Sequence, residues 1–454
     1  MNNFKPTINQ LPEVNPGPRH LNSVLERRKL LARRMLQISG ERPSVAILFS
    51  GNEQIRNKDV LFPFRASSDF LYLSGFSEPE AWLFVYVNAS GTLTDTIFSR
   101  KKIKSKEIWE GIIAGQLLVK EKYGVKNSFP VDELNSEVLE IIEASECIFA
   151  PFNDFSVVNK TINSWILEVE KKKRSGVDAP KALFNLNLLT EDSRQIKDSY
   201  EIQTMRQAAK ISSLAHMRAM KFCKAGVSES HLEAELLHEF KIQGAQDVAY
   251  PSIVASGPHT CILHHRAGKR ILNDGELLLI DAGCELNGYA SDITRTFPIS
   301  GRFSAVQRDI YEIVRAAQAE AIEKAKPGVN ISDPHDAAVR CITRGLLDLG
   351  LIKSASLEDA IQKKDYFRFY MHRTGHWLGL DVHDVGSYKK PLSAGMVMTV
   401  EPGIYISPAE DLPEHFWNIG IRIEDDILIT ESGCEILSED VPANPDEIQY
   451  LMCG

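Results

Sequence analysis

Residues 280–298 read I-D-A-G-C-E-L-N-G-Y-A-S-D-I-T-R-T-F-P, and this stretch decides the fold. Asn287-Gly288 sits between two runs of strand-forming residues and is the strongest short-range signal for a two-residue hairpin turn. With those two residues as the turn, Leu277–Phe297 forms a hairpin in which Asp292 faces Gly283, two residues along the strand from Asp281. Side chains alternate with a period of two, so Asp281 and Asp292 project from one face, diagonal across adjacent strands. Apolar neighbours flank both. Two ionised carboxylates so placed repel each other and lose hydration, and something must compensate. A bound cation does so; a protonated or arginine-paired couple does so equally well from the hairpin alone, with Arg295 as the nearest arginine.

Further along the chain more acid groups end apolar strands. Thr399-Val400-Glu401-Pro402-Gly403 closes one such run on a carboxylate, and Arg422 and Glu424 share a strand face by the same period of two. Between these segments and the hairpin stands M-H-R-T-G-H-W-L-G-L-D-V-H-D-V-G (371–386), with His372, His376 and His383 inside twelve residues. A lone histidine beside apolar residues is usually a core or surface group, but three here, followed by two acidic strands, favour a metal centre. The spacing of four between His372 and His376 would suit a zinc-binding helix. No glutamate follows His372, however, and Gly375 and Gly379 oppose a regular helix.

Working outward, the second part of the chain opens on an Asp198-x-x-Glu201 capping signal and a long amphipathic helix through Phe222, then a helix over Ser230–Gln243. After the hairpin the order recurs: a helix from a Ser304-x-x-Gln307 box, another from Asp333-Pro334 to Gly350, then strand-like runs Met396–Ile406 and Ile419–Ile429. Two helix–helix–strand–strand units predict a pseudo-symmetric α+β domain whose strands share one sheet. The first part alternates a basic helix (Leu21–Ser39), strands (Val45–Phe49, Trp82–Val87) and helices (Ile108–Lys122, Leu134–Ala144), and reads as α/β. Charged Glu170–Arg174 and polar Glu191–Asp198 are the candidate linker, which sets the domains at 1–193 and 194–454.

Composition agrees with such a chain. Its 454 residues exceed one ordinary domain, and 43% hydrophobic with 25% charged residues is globular. A net charge of −9 disfavours nucleic acid and a polybasic membrane surface, and no apolar run approaches the roughly 18 residues a bilayer span needs. Seven scattered cysteines without a CxxC pair suit reduced thiols. The first twenty residues, with Pro6, Pro12, Pro16 and Pro18, do not read as a secretory signal. The expected compartment is the cytoplasm, with the mitochondrion as the alternative because acidic residues are scarce there.

The segment 280–298, H-W-L-G-L-D-V-H-D-V-G (376–386), T-V-E-P-G-I-Y (399–405) and G-I-R-I-E-D-D-I (420–427) closely resemble the aminopeptidase P members of the pita-bread metallopeptidase family. So do F-P-F-R-A-S-S-D-F-L-Y-L-S-G-F-S-E-P-E (62–80) and Glu107-Ile108-Trp109, and the likeness covers nearly all the chain beyond residue 20. The resemblance implies an α/β N-terminal domain and an α+β pita-bread catalytic domain. It implies Asp281, Asp292, His376, Glu401 and Glu424 as ligands of two divalent ions, with Asp292 and Glu424 bridging them. That implied set of four carboxylates and one imidazole, without a thiolate, suits a hard or borderline ion such as Mn²⁺, and its four negative charges offset two dications. It implies cleavage of the bond between an N-terminal residue and a following proline, through a hydroxide bridging the two ions.

By the same resemblance Glu401 carries the proton, His383 faces the developing oxyanion, His264 contacts the leaving-group side, and His372 borders the proline pocket. Tyr250 and Arg422 orient the carboxylates. The implied partners are peptides with proline second and further copies of the chain, as a homodimer or homotetramer joined through N-terminal domains. Two departures from the family pattern stand out: Arg373 where glycine commonly follows the histidine, and a short Tyr388–Gly395 lacking an arginine often found there, whose charge Lys389 or Lys390 can replace. Competing readings are prolidase, which prefers dipeptides, a non-catalytic peptide-binding module of the same fold, and a metal-free creatinase-like hydrolase.

Overall fold

The computed structural model describes residues 18–152 and 158–453. The proline-rich start therefore lies outside the described residues up to Pro18, from which a helix runs to Ser39. The chain divides at Arg194/Gln195 into two compact units.

In the first unit six strands form one mixed sheet, ordered Asn127–Pro130, Leu93–Ser99, Trp82–Val87, Ser44–Phe49, Cys147–Ala150, Ala182–Asn185. Antiparallel pairing joins the three consecutive strands 44–49, 82–87 and 93–99, and the outer strands add in parallel. Helices Leu134–Glu143 and Val158–Glu170 cover one face, burying Val138, Ile142, Ile162 and Trp165 against Val45, Ile47, Trp82 and Phe84. The single helix expected over Ile108–Lys122 is two, Lys104–Glu110 and Gly115–Tyr123. Gly111 and Gly115 take positive φ (85° and 68°), the one ending the first helix and the other opening the second. The polar Glu191–Asp198 is no linker loop either: a helix occupies Asn187–Gln195, leaving two residues before the Asp198 cap.

The second unit opens as its capping signals predict. Asp198 accepts from the Tyr200 and Glu201 amides while Glu201 reaches back, and helix Ser199–Phe222 follows; Ser304 and Gln307 repeat the device ahead of Ala305–Lys324. Helices Glu229–Ile242 and Ser332–Asp348 complete the two pairs. The hairpin keeps one register throughout, with Leu277 opposite Pro298, Asp281 opposite Thr294, and Leu286 opposite Tyr289. Asn287 (φ 51°) and Gly288 (φ 85°) make its turn.

The expected strands do not run unbroken. The hairpin divides into Leu277–Asp281 with Thr294–Pro298 and Cys284–Leu286 with Tyr289–Ala290, which lie in different ladders. Met396–Ile406 divides into Val397–Val400 and Gly403–Ile406, and Ile419–Ile429 into Ile419–Arg422 and Asp425–Ile429. A bridge between Thr294 and Glu424 joins the two halves. Asp281, Asp292, Glu401 and Glu424 all stand at these breaks, where a strand leaves one ladder for the next.

One buried group in this unit carries a pH prediction. His216 is fully buried on helix Ser199–Phe222, its Nε2 3.0 Å from the Ala282 carbonyl, and burial depresses its pKa from 6.5 to about 4. Below pH 6.5 the unfolded chain takes up a proton that the folded state refuses until about pH 4. Stability therefore rises with pH across that window and is lost as pH falls through it. Between pH 7 and 5 this group accounts for about 2 kcal/mol. Urea unfolding of His216→Gln should show a pH 7-to-5 difference smaller by that amount than the native chain; an unchanged difference counts against it.

Candidate active site

The strand Leu277–Asp281 is buried along its length, and delivers Asp281 to the floor of a cavity of about 620 Å³. All ten residues singled out from the sequence line that cavity: Tyr250, His264, Asp281, Asp292, His372, His376, His383, Glu401, Arg422 and Glu424. Ligand atoms of Asp292, His376 and Glu424 lie within 4.8 Å of one another. The His376 Nε2 stands 3.5 Å from Asp292 Oδ2 and 3.6 Å from Glu401 Oε1.

His376 owes its place to the close approach of its loop to strand Val397–Val400. The Thr399 amide donates to the His376 carbonyl (3.0 Å), and the Glu401 amide to the Thr374 carbonyl (2.8 Å). A Cβ on Gly375 would stand 2.1 Å from the Thr399 carbonyl oxygen, so only glycine allows the contact. No helix forms over 371–386. The His376 Nδ1 stands 3.0 Å from the Trp377 carbonyl oxygen, the arrangement that turns the Nε2 lone pair toward the carboxylates.

Arg422 donates to Asp281 Oδ2 at 2.6 Å, to the Tyr405 hydroxyl at 2.9 Å and to Thr294 Oγ1 at 3.2 Å. Thr294 in turn donates to Glu424 Oε2 at 2.6 Å. The Tyr250 hydroxyl touches Asp281 Oδ1 (2.5 Å) and Asp292 Oδ1. Arg295, the arginine nearest in sequence, does not reach the pair. It lies opposite Ile280, so alternation sends it to the other face, where it pairs with Asp425 at 2.7 Å.

The electrostatics of this cluster are those of a carboxylate group short of positive charge. Burial raises Asp281, but the Arg422 guanidinium and the Tyr250 hydroxyl together outweigh it and hold the carboxyl below its ordinary range. The others go the opposite way. Burial and the Asp281 charge raise Asp292, burial lifts Glu401 to about 7, and burial with Asp292 and Glu401 raises Glu424 well above normal. Burial alone would depress His376, yet Asp292 and Glu401 lift it to about 9. Tyr250 keeps its proton, since burial and the two aspartates raise it. That single phenolic proton lies between two carboxylate oxygens and serves only one of them. Protons are thus held where cations would sit, and an all-oxygen set with one imidazole fits divalent ions.

Around this floor the histidines take distinct places. The His383 ring packs edge-on against His376, centroids 4.4 Å apart, and its pKa is lowered by burial and then by His376. His372 has Nε2 2.8 Å from the Tyr405 hydroxyl and Nδ1 2.8 Å from the Arg373 carbonyl, and burial pushes it down to about 4. His264 lies on the loop after the turn Gly257–Cys261 and faces the cavity. Arg373 and Tyr388 are also on its wall, whereas Lys389 and Lys390 are exposed and not among the lining residues.

Three supporting groups escaped the sequence reading. Thr294 and Asp426 lie two residues beyond Asp292 and Glu424, so the period of two already placed them on the same side; Asp426 accepts the Asp292 amide at 3.1 Å. Tyr405, linking Arg422 to His372, carried no signal apart from its neighbourhood to Glu401.

The chain's residues 203–431 match the model of metallopeptidase family M24, and residues 24–149 that of the aminopeptidase P N-terminal domain. The chain belongs to metallopeptidase family M24. This M24 metallopeptidase is 38% identical over 435 residues to the Xaa-Pro aminopeptidase of Escherichia coli K12, covering 95% of this chain and 98% of that one. Among solved structures, Pseudomonas aeruginosa aminopeptidase PepP matches with TM-score 0.92 at 41% identity, over 95% of this chain and 98% of that one. Escherichia coli aminopeptidase P with the inhibitor Pro-Leu matches with TM-score 0.91 at 38% identity, over 95% and 98% of the two chains. The fold is therefore the aminopeptidase P N-terminal domain followed by a pita-bread catalytic domain, and the chain is a metallo-aminopeptidase.

Proposed function

We propose that this M24 metallopeptidase removes an N-terminal residue from peptides with proline in second place, acting as an Xaa-Pro aminopeptidase. The observation that carries the reading is the convergence of Asp281, Asp292, His376, Glu401 and Glu424 on one cavity floor, ringed by three further histidines. These five would hold two divalent ions, with Mn²⁺ the expected metal. When bound, such ions supply an acidified water as nucleophile and polarise the scissile carbonyl.

The chain's own residues supply the rest. Glu401 accepts a proton from the attacking water and passes it to the prolyl nitrogen, which has no hydrogen of its own. His383 donates an N–H to the oxyanion; its lowered pKa keeps it neutral without costing it that donor. His264 meets the leaving-group side and His372 borders the proline ring. Tyr250 and Arg422 hold Asp281 and Asp292 in place.

We assign the domains as 1–193 and 194–454, and the compartment as cytoplasmic. We also assign a homodimer or homotetramer through the N-terminal domains. That assignment is supported by Ile108, Trp109 and Ile112, which are 80%, 88% and 87% exposed on the first unit and would lie bare on a monomer.

The cavity measures about 620 Å³, and the Escherichia coli relative was solved with the inhibitor Pro-Leu, a peptide beginning with proline. Hydrolysis of an Xaa-Pro-Yaa tripeptide should therefore exceed that of the matching Xaa-Pro dipeptide, and a chelator should abolish both. A clear preference for the dipeptide would make the chain a prolidase-type enzyme, and activity surviving complete metal removal would rule out the ion-dependent reading.

A further inference from the structure

A second cluster of ionisable groups lies beside the cavity and takes no part in the site described above. Glu229, the first residue of helix Glu229–Ile242, has a fully buried side chain. Its Oε1 accepts from the Ser256 amide (2.9 Å) and the Ser256 hydroxyl (2.8 Å), and His259 Nδ1 lies 2.9 Å away. Its Oε2 accepts from the Gly268 amide (3.1 Å), with His265 Nε2 at 2.9 Å. The His259 and His265 rings lie against each other, centroids 4.1 Å apart and planes tilted by 31°. These partners come from both ends and the middle of one loop, residues 256–268, and His264 is carried on that loop.

His264 is exposed, with no hydrogen-bond partner among the described residues, so its own contacts do not orient it. Its neighbour His265 is turned to Glu229 on the opposite side. We infer that Glu229 is a positioning residue: by gripping Ser256, His259, His265 and Gly268 it fixes the loop so that His264 faces the cavity. A metal site is the other use of one carboxylate and two imidazoles, whose ligand atoms lie within 4.8 Å. Two backbone amides, a hydroxyl and two ring nitrogens already surround the two oxygens, which have about four lone pairs between them. A cation would have to displace those bonds. In keeping with this, the donors around Glu229 outweigh burial and hold its carboxyl down at about 2.

The inference rests on His264 meeting the substrate, and the test separates the two. In the metal-loaded enzyme, Glu229→Gln replaces an acceptor by a donor and should lower kcat/KM for an Xaa-Pro-Yaa tripeptide by on the order of 10–10²-fold, as misplacing a contact group does. The loss should divide between kcat and KM as it does in His264→Ala. In the His264→Ala background the same change should add less than about twofold, because the two act as one unit. His265→Asn, which loosens one of the grips, follows the same pattern more weakly and stands in if Glu229→Gln fails to fold.

Amide hydrogen exchange over 257–268 reads the grip without turnover and should quicken by roughly tenfold or more in either variant. Unchanged exchange overturns the inference, as do losses that multiply with His264→Ala or a third bound ion that disappears with Glu229. Quickened exchange in the variants, beside a native enzyme inactive on the tripeptide, would instead uphold the grip and remove the proposed function.

Discussion

Asp292→Ala should abolish tripeptide hydrolysis while leaving the catalytic domain folded. Asp292 sits where the hairpin passes between ladders, touched by the Tyr250 hydroxyl, with His376 Nε2 3.5 Å away. Burial and the Asp281 charge both push it toward protonation. Without ions, removing it relieves repulsion within a crowded acid group, so the metal-free variant should melt no lower than the metal-free native chain. The difference appears on adding Mn²⁺. A ligand at a hundred times its dissociation constant stabilises by about 2.7 kcal/mol, and the variant should forgo most of that gain. Calorimetry with and without Mn²⁺, beside a turnover assay, checks both halves. A variant that turns over near the native rate, or whose melting responds to Mn²⁺ as before, would show that Asp292 holds no ion.

His383→Ala should lower kcat by roughly 10²–10³, about 3–4 kcal/mol of barrier, with metal content unchanged. His383 lines the cavity and packs against the edge of His376 but lies outside the carboxylate cluster. Its depressed pKa keeps it neutral at working pH, when one ring nitrogen still carries a hydrogen to offer an oxyanion. The loss should appear mainly in kcat, because charge on the carbonyl oxygen develops only as the nucleophile adds to the carbonyl carbon. Metal analysis is the discriminating measurement: a variant depleted of ions would place His383 in the metal site and not at the oxyanion.

How far these sites were legible depended on the kind of regularity that carried them. Hairpin register follows from a two-residue turn and strict alternation, both local, so the diagonal placement of Asp281 and Asp292 could be read directly and agrees with the structure. Capping at Asp198 and Ser304 is equally local, since a side chain reaches only three residues along its own backbone. Apolar spacing predicts one helix over 108–122, but positive φ at Gly111 and Gly115 breaks it, because a conformation only glycine adopts freely interrupts the helical run. Polar composition likewise suggested a loop at 191–198, where a helix caps the first unit. Arg295 was the natural partner by distance along the chain and faces away by one residue of register.

From its order of residues alone, the chain determines its turns, caps, strand faces and the acid and imidazole groups that its family motifs carry. Folding in three dimensions decides which of those groups meet. Arg422 joins Asp281 across 141 positions, Thr294 joins Glu424 across 130, and Glu229 reaches forward to hold the His264 loop. Local rules cannot supply such pairings, because they depend on how separate ladders end against one another. The same holds for burial, which lifts Glu401 toward neutrality: a carboxyl's proton affinity is set by the water it has lost, and that is known only once the surrounding strands are in place.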